Sequence, residues 1–263
     1  MNRGFNNVIR IWMVFIYIIL FLPIIVIVLM SFNKTNYGML PYVFCLDWYT
    51  YLFTKSELFP ATLLSLELAF SVTALATVLG TAAAVGLQYM SRQLSARFQS
   101  ISQLPIIIPW LVQAISILLL LNFTGLGRSY IGMFLGNLIV VLPYVIMMVA
   151  GRFADADRTP EDAARMLGAS QLRVFFDIIL PMLFPGILSG ALMSFMVCFN
   201  AFCMQYFLAP FGVRTLPMEI FTLIRTGYKP DINALATLLI IVTTIIVLAL
   251  NKLKYSVKKM FGT

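Results

Sequence analysis

Long runs without charge recur along this chain, each close to the length of a membrane-crossing helix. Ile11 to Phe32 is 22 residues without a charge, Ser129 to Gly151 is 23, and Ile232 to Asn251 is 20. A hydrocarbon core of about 30 Å is crossed by about 20 helical residues, so each run is long enough to span. Three further apolar stretches run from about Pro60 to Met90, Gln103 to Asn122 and Met182 to Pro210. The pattern predicts an all-α membrane protein, a single domain over 1–263 with six transmembrane helices. These are placed at about 9–32, 60–90, 101–122, 129–151, 182–210 and 231–252.

Residues 152–181 break the pattern. They hold Asp155, Asp157, Glu161, Asp162 and Asp177, five of the chain's ten acids, together with four arginines. Thr159 is expected to cap a helix with Pro160 in its first turn, and Asp162 completes a T-x-x-D capping box. Glu161 and Asp162 suit the positive end of the helix dipole. Ala163, Ala164, Met166 and Leu167 continue the helix, and Gly168 can end it in the left-handed conformation. Ser170 then caps a second helix with Val174, Phe175, Ile178 and Ile179 as its apolar stripe, and Pro181 marks the next boundary. Such an element could anchor in the membrane interface. Its alanines offer lipid little and let another protein approach the backbone closely, which points to docking.

Composition agrees with the membrane reading: 61% of residues are hydrophobic and 11% charged, with a mean hydropathy of +0.96. The net charge of +8 is unevenly placed. With six spans, Arg3, Arg10, Arg92, Arg97, Arg152, Arg158, Arg165, Arg173, Lys252, Lys254, Lys258 and Lys259 fall on the side of the termini. Lys34, Lys55, Arg128, Arg214, Arg225 and Lys229 fall on the other. The positive-inside rule puts the richer set, and both termini, in the cytoplasm. The bias reflects topology and anionic headgroups, with no hint of nucleic acid. The first run exceeds a signal-peptide core and lacks a small-residue cleavage site, so it reads as a retained helix. The chain has no histidine, which removes His-based metal sites and triads. Cys45, Cys198 and Cys203 form no even framework. No catalytic residue, metal ligand or cofactor is expected in the chain itself.

Several polar or kinked positions are candidates for a translocation path. Glu67 is the one clear acid inside an apolar run, and charge at membrane depth is costly and usually functional; hydration near the outer surface is the other reading. Pro105 and Pro109 must bend or break the third span, and irregular backbone at that depth persists only when buried or lining a cavity. Trp110, Gln113 and Ser116 follow that break. Asn137 and Tyr144 would share a face of the fourth span, where Gly132 and Gly136 suit close packing. Asn200, Gln205 and Tyr206 lie in the fifth. Trp48, Tyr49, Tyr51 and Phe53 in the loop after the first span read as an interfacial belt, or a short helix on the membrane.

The string D-A-A-R-M-L-G-A-S at 162–170, followed eight residues later by Ile179-Leu180-Pro181, resembles the EAA loop of ABC-importer permeases. Asp162 stands where that family usually has Glu, with Glu161 just before it. Pro230-Asp231-Ile232-Asn233-Ala234-Leu235-Ala236-Thr237, Leu216-Pro217 through Ile220, and LPIIIP at 104–109 are similar to the spermidine/putrescine branch. The resemblance implies a type I importer permease (MetI-like) fold with 152–181 as the cytoplasmic coupling loop. Glu161, Asp162, Ala163, Ala164, Gly168, Ala169 and Ser170 would couple to an ATPase. It also implies a second homologous permease, two ATPase subunits and an extracytoplasmic solute-binding protein, in the inner membrane of a bacterium. The chain has no G-x-x-x-x-G-K-[ST] phosphate loop, so ATP and Mg would be bound by the partner ATPase. Where the polyamine branch carries acids after the third-helix proline and as a pair in the fifth helix, this chain has Trp110 and Asn200-Ala201. A polyamine is the expected solute, with another organic cation, an aminophosphonate or an amino-acid derivative as alternatives. A secondary transporter or a membrane scaffold stays open as a different class.

Overall fold

A computed structural model of the chain describes residues 3–35, 41–227 and 229–261. In chain order its helices are α1 (Arg3–Met30), α2 (Asp47–Thr54), α3 (Leu58–Gln88), α4 (Arg92–Ser102), α5 (Leu104–Ile107), α6 (Trp110–Phe123), α7 (Tyr130–Ala154), α8 (Thr159–Met166), α9 (Gln171–Val174), α10 (Leu180–Phe199), α11 (Phe202–Leu208), α12 (Leu216–Thr226) and α13 (Asp231–Phe261). A π-helical segment, Phe175–Ile179, joins α9 to α10. Among the described residues four helices are long and apolar enough to cross a membrane: Ile9–Met30 of α1, α3, α7 and the continuous Gln171–Phe199. Arg92–Ile107 and Trp110–Phe123 together are long and apolar enough but bent, a broken span or a re-entrant loop, and the apolar stretch Asp231–Ile245 of α13 is shorter.

The helices form two compact units, residues 1–61 with 219–263, and residues 62–218. In the first unit α13 packs against α1 and α2. The loop after α1 folds back on itself. The Lys34 amide donates to the Val43 carbonyl at 2.8 Å, the Cys45 amide to Phe32 at 2.8 Å, and the Trp48 indole N–H to the Asn33 carbonyl at 2.8 Å. The short helix expected in this loop is α2. The Ser56 hydroxyl donates to Asp231 Oδ2 at 2.7 Å, tying the residues that precede α3 to the first turn of α13.

The second unit is built around α7. Its most extensive pairing is with α10, and small residues on the neighbours let the backbones close in. A Cβ on Gly80 of α3 would stand 2.7 Å from Val145 Cβ, and one on Gly190 of α10 would stand 3.1 Å from Val145 Cα. Val145 is fully buried. Gly186 sits against Arg152, whose side chain a Cβ would meet at 2.6 Å, while Gly132 faces Leu121 and Gly136 faces Leu208. The expected packing glycines of the fourth span therefore receive α6 and α11. Leu68, Val72, Ala76 and Ala84 of α3 are buried at four-residue spacing, with Gly80 in the same series.

Two expected spans are interrupted. The third, placed at 101–122, turns through 104° between Ile107 and Trp110. Pro105 opens α5 instead of breaking it; the break falls at Ile108 and Pro109, both in extended backbone. The fifth, placed at 182–210, begins earlier and breaks internally. Helix runs through Pro181 from Gln171 to Phe199, because Pro181 falls in the first turn of α10, just past the wide π turn. It stops at Asn200, and Ala201 takes φ −76 and ψ 59, with the Phe202 amide donating to the Asn200 carbonyl at 2.8 Å. That is an inverse γ-turn. No proline marks it, so the sequence offered no signal.

Filling the contact at Val145 is expected to disrupt this unit. Gly80→Val or Gly190→Val should cost about 1–3 kcal/mol by overpacking and lower the thermal melting point of the detergent-solubilised chain. Gly86→Val, where a Cβ would meet nothing within 4 Å, serves as the control.

Candidate functional site

The charged segment folds as a short helix with two unlike faces. Its start differs from the expected capping box. Thr159 is the first helical residue, Arg158 holds the cap position, and no side chain caps the end. The Thr159 hydroxyl donates to Asp157 Oδ1 at 2.6 Å and its amide donates to the same oxygen at 3.0 Å. A carboxylate two residues back captures the hydroxyl, since charge-assisted bonds are the stronger ones. The hydroxyl bond first, and then the amide bond, hold the Asp157 carboxyl below the usual range. The other end matches expectation. Gly168 has φ +81, its amide donates to the Arg165 carbonyl at 3.0 Å, and the Ala169 amide donates to the Ala164 carbonyl at 3.1 Å. This pair of bonds is a Schellman motif, which needs the left-handed residue. Ser170 then caps α9 by accepting from the Arg173 amide at 3.4 Å.

The two acids part company. Glu161 is only 5% exposed; its Oε1 accepts from the Tyr89 hydroxyl at 3.0 Å and from Arg165 Nη2 at 2.8 Å. Arg158, one turn earlier, donates to Gln88 Oε1 at 2.9 Å and lies over the Phe153 ring. Asp162 and Ala163 face out. Met166 is 90% exposed and Leu167 88%, an unusual display of apolar surface at a helix end. Ala164 and Ala169 are half-buried against the hydrophobic core, so their small size fits the chain's own interior. Gly168 and Ser170 are exposed.

The path candidates do not gather in one place. Glu67 is on the exposed side of α3. Trp110, 38% exposed, opens α6 just past the break. Gln113 and Asn137 are buried in the second unit with their side-chain oxygens lacking a hydrogen-bond partner, though Asn137 Nδ2 donates to the Met133 carbonyl at 2.8 Å. Tyr144 packs half-buried on the core. Asn200, at the γ-turn, is exposed, and Tyr206 stacks on Phe202 with centroids 5.2 Å apart. Sequence reasoning missed Tyr89 and Gln88, which stand 72 and 70 residues from their partners. It also missed Arg128, whose guanidinium donates to the carbonyls of Ala209 and Tyr206, each at 3.0 Å, at the C-terminal end of α11. Among the described residues no cluster of three or more acids and cysteines could hold a metal ion.

Residues 76–261 match the family model of the binding-protein-dependent transport system inner membrane component. The chain belongs to this family. The spermidine/putrescine transport system permease protein PotC of Haemophilus influenzae is 33% identical over 240 residues, 90% of this chain and 92% of that one. The putrescine transport system permease protein PotI of Escherichia coli is 34% identical, covering 84% of this chain and 81% of that one. In fold, the chain is similar to a chain of a bacterial ABC transporter involved in the import of the acidic polysaccharide alginate, with a TM-score of 0.70 at 16% identity over 96% of this chain and 98% of that one. This binding-protein-dependent permease is thus a multi-pass membrane protein of type I importer fold, and its relatives are transport subunits.

Gly168 tests the geometry of the permease's charged loop. Gly168→Val places a β-branched residue at φ +81, which costs about 1–2 kcal/mol. Amide exchange at 163–169, followed by mass spectrometry, is expected to quicken roughly tenfold, with exchange in α7 unchanged.

Proposed function

We propose that this chain is one of two membrane subunits of an ATP-driven ABC importer, forming part of the path for a small organic solute and docking its 159–170 segment into a separate cytoplasmic ATPase. The permease domain spans the whole chain. The observation that carries the reading is the outward face of α8: Asp162 and Ala163, exposed, followed by Met166 and Leu167 held almost bare by the Gly168 turn. Exposed apolar side chains rimmed by polar residues mark an interaction surface. Hydrolysis, with ATP and Mg, belongs to that partner. A homologous permease would complete the path, an extracytoplasmic binding protein would deliver the solute, and the excess of Lys and Arg supports a cytoplasmic side for the termini and α8.

The names of the relatives make a polyamine the favoured solute. A different organic solute is the second reading, favoured by the neutral Trp110 and Asn200 at the two backbone breaks. Glu67, exposed on α3 within reach of Tyr130, is then the acid left to meet a cation. Gln113, Asn137, Tyr144 and Tyr206 are the remaining candidates for the path.

Replacing both Met166 and Leu167 by Asp is expected to weaken retention of the ATPase subunit by roughly 30-fold or more, while the chain still inserts and purifies. Equal co-purification would overturn the docking assignment. Uptake of labelled spermidine and putrescine by the reconstituted wild-type transporter decides between the two solutes' class and the second reading.

A further inference from the structure

The helix that would receive the ATPase's motion is joined to its own chain by soft connections. On one side it leaves α7 through the turn at 155–158. On the other it passes through Gly168, in left-handed backbone, and then through the π-helical segment Phe175–Ile179 before α10 becomes regular. π segments are register shifts that often lie at functional positions. A push on α8 carried by these links alone would be absorbed in them.

A direct tie bypasses them. Arg158 at the cap and Glu161 and Arg165 within α8, spaced i, i+3 and i+7, reach the end of α3. Arg158 donates to Gln88 at 2.9 Å. Glu161 accepts from the Tyr89 hydroxyl at 3.0 Å. Arg165 donates to Glu161 at 2.8 Å and lies over the Tyr89 ring at 5.9 Å. Glu161, 5% exposed, is costly to bury unless its charge is paired and hydrogen-bonded, and these two partners do both. The tie leads to a rigid place, because the Leu68–Ala84 face of α3 closes on Val145 of α7 at Gly80. Beside it Tyr89 and Arg165 line a groove of about 410 Å³ with Val85, Gln171, Phe175 and Ile179.

We propose that Tyr89 is a positioning residue for coupling: its hydroxyl and ring hold Glu161 and Arg165 so that a displacement of α8 moves the end of α3 with it. Asp162 faces the partner, and Glu161 faces inward as the other half of the latch. The inference rests on the permease reading, which assigns α8 to an ATPase.

The test uses the full transporter in liposomes, in a background with Cys45, Cys198 and Cys203 replaced by Ala, with spin labels at Ala83 on α3 and Thr159 on α8. Both label positions are exposed. In the otherwise wild-type chain the separation of the labels is expected to stay the same between nucleotide-free and ATP–vanadate-trapped complexes. In Tyr89→Phe, which removes only the hydroxyl, the separation is expected to shift by more than about 2 Å on trapping. Stimulation of ATP hydrolysis by the binding protein should fall about three- to tenfold in that variant, with basal hydrolysis and ATPase retention unchanged. Glu161→Gln, which also weakens the pair with Arg165, should lower stimulation too, and the double variant should lose less than the product of the two single losses, since they share the Tyr89–Glu161 contact. A Tyr89→Phe chain whose labels keep a fixed separation, or that is stimulated like the wild type, overturns the latch alone. A label separation that already shifts in the wild type does so too. A wild-type chain that retains no ATPase overturns the docking of α8, and the latch falls with it.

Discussion

The close approach of α3 and α10 to α7 at Val145 is the constraint on which the second unit depends. In lipid the hydrophobic effect gives helices little reason to prefer each other over acyl chains, so association rests on tight packing and on polar bonds between helices. Gly80 and Gly190 remove the side chains that would hold the backbones apart, and Val145 fills the space between them. Gly186 repeats the device one turn along α10, where the Arg152 stem packs and its Nε donates to the Met182 carbonyl at 3.2 Å. A stack of this kind moves as a piece.

Against that rigid stack the two backbone breaks stand out. Freed carbonyls at membrane depth need partners, since lipid supplies none. Beside the Asn200–Ala201 turn, Gln205 Nε2 donates to the Cys198 carbonyl at 2.7 Å and Asn200 Nδ2 donates to the Met196 carbonyl at 2.9 Å. At the far end of α11 the Arg128 guanidinium takes two more carbonyls, where the helix dipole also favours a cation. The polar residues of the fifth span are thus partly spent on holding irregular backbone. Asn200 and Gln205 hold the shape of the backbone around this turn.

Local chemistry told well from the sequence, and long-range pairing did not. Gly168 could be read as a left-handed helix end because a glycine after a short helix has a specific backbone reason to be there. Pro109 announced a break for the same kind of reason, although Pro105, four residues earlier, proved compatible with a helix start. The break at Ala201 carried no such mark; it is a γ-turn made by ordinary residues and secured by a side chain four positions on. The capping box failed because Asp157, outside the four-residue pattern, competes for the Thr159 hydroxyl. Tyr89 was invisible, for a tyrosine at the end of an apolar run reads as an interfacial residue until the fold brings it to Glu161.

The pair Glu161-Asp162 shows what a helix does to neighbours in sequence. Successive residues point about 100° apart, so two adjacent acids cannot serve one partner equally. With Arg158 and Arg165 drawn toward α3 on the face of Glu161, Asp162 is turned to solvent beside Ala163 and Met166. The shorter acid at the outward position therefore gets no help from its neighbour, whose carboxylate is already taken by Tyr89 and Arg165. The same division explains the alanines: Ala163 keeps the outward face low, while Ala164 lets the inward face sit down on the core. One eight-residue helix is thereby fixed to its own protein on one side and left bare on the other.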